Sequence, residues 1–192
     1  MKTIGVLSFQ GSFAEHLNCI KELNLTPQKI KSVKELQKCD ALIIPGGETT
    51  TLRKLLVSSG LKKEIYSKAK QGFPVYGTCA GAILLAKKIN EEKPVLPLID
   101  VLIERNAYGS QLESFEKKIK INAKEFNNSE KLFNAVFIRA PQIKSILSNK
   151  VEVLAECEKK PVMLRQGNIL VSMFHPELTN DLRIHEYFIS LI

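Results

Sequence analysis

Long apolar runs, paired cysteines and dense basic clusters are all missing from this sequence of 192 residues. No stretch approaches the ~20 apolar residues of a membrane span, and the apolar start is too short for a signal peptide. The four cysteines form no C-x-x-C pair, so a zinc site has little support. Because scattered cysteines suit a reducing compartment better than a disulfide scaffold, we predict a cytoplasmic protein with no membrane contact.

The net charge of +8 raises the question of nucleic-acid binding. Lysines and arginines are spread in pairs such as Lys62-Lys63 and Lys117-Lys118, with no run of five and no accompanying aromatic motif. A solvated basic surface is therefore favoured over a nucleic-acid partner, and an acidic protein partner is a third use of this charge. With 44% hydrophobic residues, no repeat and no linker, the chain is predicted to form a single domain over residues 1–192.

The first half of the chain alternates apolar strands with amphipathic helices. Residues 41–44 form a continuous apolar run, the pattern of a parallel strand buried on both faces. Such strands separated by helices predict right-handed βαβ units and a mostly parallel sheet. Ser12 is the expected N-cap of the first helix. Strands are predicted at residues 3–9, 29–33 and 41–44, and another begins at Val75. Helices are predicted at residues 12–23, 49–58 and 61–70, with a further short helix that ends near residue 39.

The second half contains many strands with few helices between them, which predicts antiparallel pairs or hairpins. Gln166-Gly167-Asn168 is a favourable turn between the last two strands. Strands are predicted at residues 98–104, 115–121, 135–138, 151–155, 162–165 and 169–174, followed by a closing helix at 181–191.

Cys79 lies where an apolar strand pattern meets an apolar helix pattern, within Gly77-Thr78-Cys79-Ala80-Gly81. A G-x-C-x-G turn of this kind holds a side chain out on a sharp strand-to-helix bend, as the G-x-S-x-G elbow does in serine hydrolases. The helix N-terminus favours the thiolate, the form that attacks carbonyls. A small buried hydrophobe is the alternative interpretation of any single cysteine. The pattern favours a catalytic nucleophile.

His175 and Glu177 follow the last apolar run, 96 residues after Cys79 (175 − 79). Open α/β sheets build their sites at the carboxyl ends of strands, which makes His175 a candidate general base. Glu177 can reach the outer imidazole nitrogen and orient it, the role of the third member of a triad. The remaining histidines, His16 and His185, are interpreted as surface or packing residues.

Two segments can supply further parts of a thiol enzyme. Ala80 and Gly47 can donate backbone N–H groups to a tetrahedral oxyanion, since both open helices after predicted strands. Arg105 and Arg139 follow apolar strands and can hold a carboxylate bidentately. Each has an ordinary alternative, a tight turn for Pro45-Gly46-Gly47 and a surface ion pair for either arginine.

These residues, in this order, resemble the class I (triad) glutamine amidotransferases, and most closely the glutaminase subunits of pyridoxal 5′-phosphate synthase, the PdxT/SNO family. The resemblance extends nearly from end to end. It rests on IGVLSFQG (residues 4–11), PGGETTTLR (45–53), GTCAG (77–81), ERNAYGSQ (104–111), FIRAP (137–141) and FHPELT (174–179). Thr49 stands where the family pattern has Ser, and Ala107, Tyr108 and Ser110 depart from its Ser-Phe-Gly-Arg segment.

The resemblance implies a flavodoxin-like α/β three-layer sandwich with a mostly parallel central sheet. It implies hydrolysis of L-glutamine to glutamate and ammonia without a metal or organic cofactor, the ammonia passing to a synthase subunit in a large hetero-oligomer. The implied nucleophile is Cys79, with His175 as base and acid and Glu177 as its orienter. The segments that hold glutamine match Gly46, Gly47, Glu48, Thr49, Arg105, Ile138 and Arg139.

Two other functions are compatible with the same pattern. One is a glutaminase that serves a different pathway, such as imidazole glycerol phosphate or anthranilate synthesis. The other is a non-catalytic regulatory module that retains the elbow, which the intact His175-Pro176-Glu177 disfavours.

Overall fold

The computed structural model describes residues 1–90, 92–105, 114–122 and 131–192. Its strands are β1 (Thr3–Leu7), β2 (Thr26–Ile30), β3 (Ala41–Ile44), β4 (Val75–Thr78), β5 (Ala86–Ile89), β6 (Ile99–Glu104), β7 (Ser114–Ile119), β8 (Phe133–Ile138), β9 (Gln142–Ile146), β10 (Glu152–Cys157), β11 (Lys160–Gln166) and β12 (Ile169–Ser172). Its helices are α1 (Phe13–Glu22), α2 (Val33–Leu36), α3 (Thr49–Ser58), α4 (Leu61–Lys70), α5 (Ala80–Leu85) and α6 (Arg183–Ser190), with a 3-10 turn at Pro176–Leu178.

The central sheet has seven strands in the order β10-β11-β12-β4-β3-β1-β2. The five strands from β12 to β2 pair in parallel. Beyond them β11 runs antiparallel to both of its neighbours, and β11 and β12 are joined by a turn at Gly167 with φ +57°. This confirms the predicted fold class, a mostly parallel sheet that gains antiparallel strands from the second half of the chain.

Helices cover both faces of this sheet. Tyr76 and Gly77 are neighbours on β4, so they face opposite sides of it. Tyr76 contacts the rings of His16 on α1 and Phe188 on α6, whereas a Cβ at Gly77 would meet Leu85 of α5. Because α3 packs on α5, these two helices share one face while α1 and α6 share the other. The result is a three-layer α/β sandwich.

Two smaller sheets flank the cleft side of the molecule. β5, β6 and β9 form one, and β7 pairs with β8 in the other. β5 was not predicted, because the apolar run of α5 continues directly into it and the pattern resembles a single helix. β9 was not predicted either. The second strand lies at Thr26–Ile30, whereas residues 29–33 were predicted. The prediction was displaced because only the last residue of the strand, Ile30, is fully buried, which leaves a weak periodic signal.

The four interior strands β12, β4, β3 and β1 are buried almost throughout, and we call them the sheet body. Ile4, Ile43, Val75 and Leu170 belong to four adjacent parallel strands and have no exposed surface. Ser8, Gly46, Cys79 and His175 each follow within three residues of the end of one of these strands. We call the segments directly after β1, β3, β4 and β12 the carboxyl edge. No helix among the described residues is long and apolar enough to cross a membrane.

Candidate active site

The carboxyl edge contains a cleft of about 520 Å³. Every site residue predicted from the sequence except Glu177 lines it, and Glu177 lies directly behind His175. The Cys79 side chain reaches the cleft, although the residue is only 9% exposed. Residues that line the cleft without having been predicted are Gly11, Ser12, Ile83, Pro141 and Leu178.

Cys79 occupies a strained elbow between β4 and α5. Its φ of 47° and ψ of −105° lie outside the regions that residues with a side chain normally adopt. The chain can turn this tightly because Gly81 lies against β3, where an added Cβ would be 1.9 Å from the Ile44 carbonyl oxygen. The elbow predicted from the glycine spacing is thus present, and the backbone holds the thiol at the start of α5.

His175 and Glu177 form a hydrogen-bonded pair, as the sequence spacing predicted. His175 Nδ1–H donates to Glu177 Oε1 at 2.7 Å. Burial lowers the pKa of His175, but its interactions with Cys79 and Glu177 together outweigh burial and raise the pKa to about 10. His175 and Glu177 therefore form an ion pair, with the cationic imidazole in the cleft and the carboxylate behind it.

Glu177 has no exposed side-chain surface and keeps its charge through its neighbours. Burial alone would raise its pKa, but His16, His175 and the hydroxyl of Ser12 outweigh it and lower the pKa to about 2. Ser12 Oγ–H donates to Glu177 Oε1 at 2.5 Å. Ser12 is the N-cap residue of α1, as predicted, but its side chain makes no capping hydrogen bond, because the buried carboxylate takes its hydroxyl instead.

The Gly46-Gly47 turn lies directly against the imidazole ring of His175. A Cβ at Gly46 would be 2.4 Å from His175 Cε1, so only glycine lets the imidazole approach. The turn is held by Gly46 N–H, which donates to Thr78 Oγ1 at 3.1 Å, and by Ser12 N–H, which donates to the Gly46 carbonyl at 3.3 Å. These bonds place the turn in the same cleft as Ala80 and Cys79.

Glu48 and Thr49 continue this turn into α3. The Glu48 carboxylate accepts from the backbone N–H groups of Thr50 and Thr51 at 2.9 and 2.6 Å, an N-cap arrangement. Hydrogen bonds from Thr51 and Thr50 lower the pKa of this carboxyl to about 2. Its side chain is therefore engaged in capping α3 while the residue still lines the cleft.

Arg105 and Arg139 both line the cleft. Arg105 donates to Glu92 at 2.5 Å, and Glu92 also accepts from Arg53 at 3.1 Å. Arg139 has φ 44°, which bends the chain after β8. The carbonyl of the preceding residue, Ile138, lies 3.8 Å from the Cys79 sulfur. The rest of the ERNAYGSQ segment, including the departures from the family pattern at Ala107, Tyr108 and Ser110, lies outside the described residues.

His16 and His185 were predicted to be surface or packing residues. Both are fully buried, and their rings also make polar contacts. His16 Nε2 lies 3.4 Å from Glu177 Oε2, directly behind the predicted triad. The sequence carried a signal for this position. His16 falls three residues after Phe13 and four before Ile20, on the apolar stripe of α1. Ser12 had no comparable signal, because its partner is 165 residues away.

The other three cysteines take no part in the cleft. Cys19, Cys39 and Cys157 are buried and free. Burial raises the pKa of Cys19 and of Cys39 to about 11, which keeps both thiols protonated and unreactive. Within the described ranges, no group of three or more His, Cys, Asp or Glu residues is arranged to hold a metal ion.

Comparison with known proteins agrees with this architecture. The chain is 50% identical over 191 residues to the pyridoxal 5′-phosphate synthase subunit PdxT of Caldicellulosiruptor saccharolyticus, covering 99% of this chain and 98% of that one. It is 46% identical over 191 residues to the PdxT of Methanococcus maripaludis, covering 99% and 97%.

Solved structures show the same fold. A crystal structure of a glutamine amidotransferase superposes with a TM-score of 0.90 at 42% identity, covering 98% of this chain and 97% of that one. The structure of PurLQS from Thermotoga maritima matches with a TM-score of 0.71 over 98% of each chain, and at 15% identity this is a likeness of fold alone. A model of the SNO glutamine amidotransferase family matches residues 6–192, and the chain belongs to that family.

Proposed function

We propose that this chain is the glutaminase subunit of a pyridoxal 5′-phosphate synthase, and that residues 1–192 act as one glutaminase domain. The observation that carries the proposal is the convergence of Cys79, His175 and Glu177 at the carboxyl edge, with His175 joined to Glu177 at 2.7 Å. Full-length relatives named as PdxT support this pathway over the other amidotransferase pathways.

The chemistry begins with glutamine in the cleft and the sulfur of Cys79 as a thiolate. Sulfur attacks the carbon of the side-chain amide, and the carbonyl electrons move onto oxygen. Backbone N–H groups of Gly47 and Ala80 stabilise this oxyanion. His175 then gives its proton to the amide nitrogen, the carbon–nitrogen bond breaks, and ammonia leaves a thioester on Cys79.

Hydrolysis of the thioester returns the enzyme to its starting state. His175, now neutral, takes a proton from water, and the resulting hydroxide attacks the thioester carbon. The carbon–sulfur bond breaks, glutamate is released, and Cys79 leaves as thiolate. Throughout, Glu177 holds Nδ1–H of His175, which fixes the imidazole orientation and stabilises its cationic form. These steps require no metal or organic cofactor.

Substrate recognition falls to the other residues that line the cleft. Arg105 and Arg139 supply positive charge for the glutamine carboxylate, and Gly46, Glu48, Thr49 and Ile138 form the adjoining wall. Ammonia is useful only when it is delivered, so a synthase subunit docks over the cleft. The exposed apolar side chains of Ile138 and Leu178, 38% and 43% accessible, support a protein surface there.

The test is ammonia release from L-glutamine by the purified chain mixed with its synthase subunit. We expect Cys79→Ala to reduce the rate to background while the variant still binds the synthase. Ammonia release that survives in Cys79→Ala would reject the assigned nucleophile. Equal rates with and without the synthase would reject the coupling to that partner.

A further inference from the structure

Two buried histidines adjoin the proposed triad without a role in the steps above. His16 on α1 and His185 on α6 have no exposed surface, and their ring nitrogens, Nδ1 of His16 and Nε2 of His185, are 2.9 Å apart. Burial lowers the pKa of both, that of His185 to about 3, so both rings are neutral at physiological pH. One ring therefore donates the proton between them and the other accepts it.

Glu177 distinguishes the two arrangements. Within the described part of the chain its Oε2 has no hydrogen-bond partner of good geometry, and His16 Nε2 approaches it to 3.4 Å. A bare His16 Nε2 would direct its lone pair at a buried carboxylate oxygen, which is repulsive. A protonated Nε2 instead places its hydrogen beside that oxygen, an attractive contact at 3.4 Å, next to the hydrogen bond that His16 Nε2 shares with Thr78 Oγ1 at 3.3 Å.

The same tautomer accounts for the second ring. When His16 carries its proton on Nε2, its Nδ1 is bare and accepts from His185 Nε2–H. His185 Nδ1 is then also bare, and it has no hydrogen-bond partner among the described residues. A buried acceptor without a partner is tolerated more readily than a buried donor. The alternative would give His185 Nδ1 a buried proton with no acceptor among the described residues, and would turn the lone pair of His16 Nε2 towards Glu177 Oε2.

We propose that His16 is a positioning residue for this site, whose Nε2–H holds Glu177 Oε2 in place while His185 fixes the tautomer of His16. The inference rests on the proposed glutaminase function. His16 Nε2 also lies 3.3 Å from Thr78 Oγ1, the atom that accepts Gly46 N–H. One ring thus connects the carboxylate behind His175 with the turn that carries Gly47.

Two amide substitutions at position 16 test the roles of the two ring nitrogens separately. The amide of Asn at position 16 occupies the place of Nδ1 and keeps a contact with His185, but it cannot reach Glu177. The amide nitrogen of Gln occupies the place of Nε2 and can donate to Glu177. With the synthase subunit present, we expect His16→Asn to lower kcat for glutamine about tenfold or more with KM unchanged. His16→Gln should retain kcat within about twofold.

The wild-type tautomers give a second measurement that needs no variant to fold. Nitrogen NMR of histidine-labelled protein should show His16 and His185 each protonated at Nε2 and bare at Nδ1. A proton on His16 Nδ1 would overturn the proposal. So would wild-type kcat in His16→Asn, or equal losses of kcat in the Asn and Gln variants, which would indicate packing alone. If wild-type protein released no ammonia, the proposed function itself would fail, and the NMR result would still report the tautomer.

Discussion

The sheet body and the carboxyl edge of the same strands differ in backbone strain and in buried charge. In the body, Ile43 and Leu170 are fully buried among other aliphatic side chains. At the edge, Cys79 has positive φ, and Glu177 is a buried carboxylate. Strained backbone and buried charge each cost free energy, so the apolar body must stabilise what the edge destabilises. Variants in the two regions should therefore separate activity from stability.

The largest effect is expected at the edge, on turnover. Glu177→Gln keeps the shape of the side chain but removes the charge that stabilises the His175 imidazolium. We expect kcat for glutamine hydrolysis to fall by about 10³–10⁴-fold, the size seen when the acid of a hydrolytic triad is made neutral. Thermal unfolding serves as control and should change little or rise. A kcat within tenfold of wild type would contradict the role of Glu177.

The body should show the reverse behaviour. Ile43→Ala removes a fully buried side chain from β3 and leaves a cavity, so the free energy of unfolding should fall by about 2–5 kcal/mol. Ile43→Val, the matched control, should cost about 0.5–1.5 kcal/mol. Denaturant unfolding measures both, and KM for glutamine should stay unchanged in each. A change in KM without a loss of stability would contradict the separation of activity and stability between the two regions.

Acid stability should depend on the buried histidines behind the edge. The pKa of His185 is about 3 in the folded protein and 6.5 when unfolded. Because the unfolded chain binds the extra proton first, folded stability is fully present above pH 6.5 and is lost as pH falls towards 3. At ~1.4 kcal/mol per pKa unit, the loss amounts to a few kcal/mol by about pH 4.

His185→Phe keeps an aromatic ring beside Tyr76 and removes this titration. Urea unfolding of wild type and variant at a series of pH values should show a shallower acid slope in the variant. Parallel slopes would mean that His185 is not buried in its neutral form.

The smallest expected effect tests the strain at the elbow. Replacing Ala by Gly normally destabilises a folded segment by roughly 0.5–1 kcal/mol. At position 79, with φ 47° and ψ −105°, glycine relieves strain that any side chain creates. Cys79→Gly should therefore be more stable than Cys79→Ala by about 1 kcal/mol in denaturant unfolding. The ordinary order, with Ala more stable, would show that the elbow is unstrained.

The elements that sequence predicted well are those with strong local signals. The continuous apolar run of β3 and the helices α3 and α4 match their predicted bounds, because burial on both faces and a helical period leave one solution. β5 and β9 were missed, since β5 continues an apolar helix without a break and β9 ends in exposed residues. Ser12 was predicted correctly as the N-cap residue of α1, but the partner of its side chain could not be predicted, because Glu177 is distant in sequence.

The sequence by itself determined which chemistry is available here: a cysteine between two glycines at a strand-to-helix junction, followed by a late histidine and glutamate. Local spacing carries that information because backbone geometry depends on near neighbours. Only the tertiary structure decided that His16, Ser12 and Thr78 surround Glu177 and the Gly46-Gly47 turn. These contacts arise because parallel strands that are distant in sequence end side by side, where buried polar groups must find partners across the sheet.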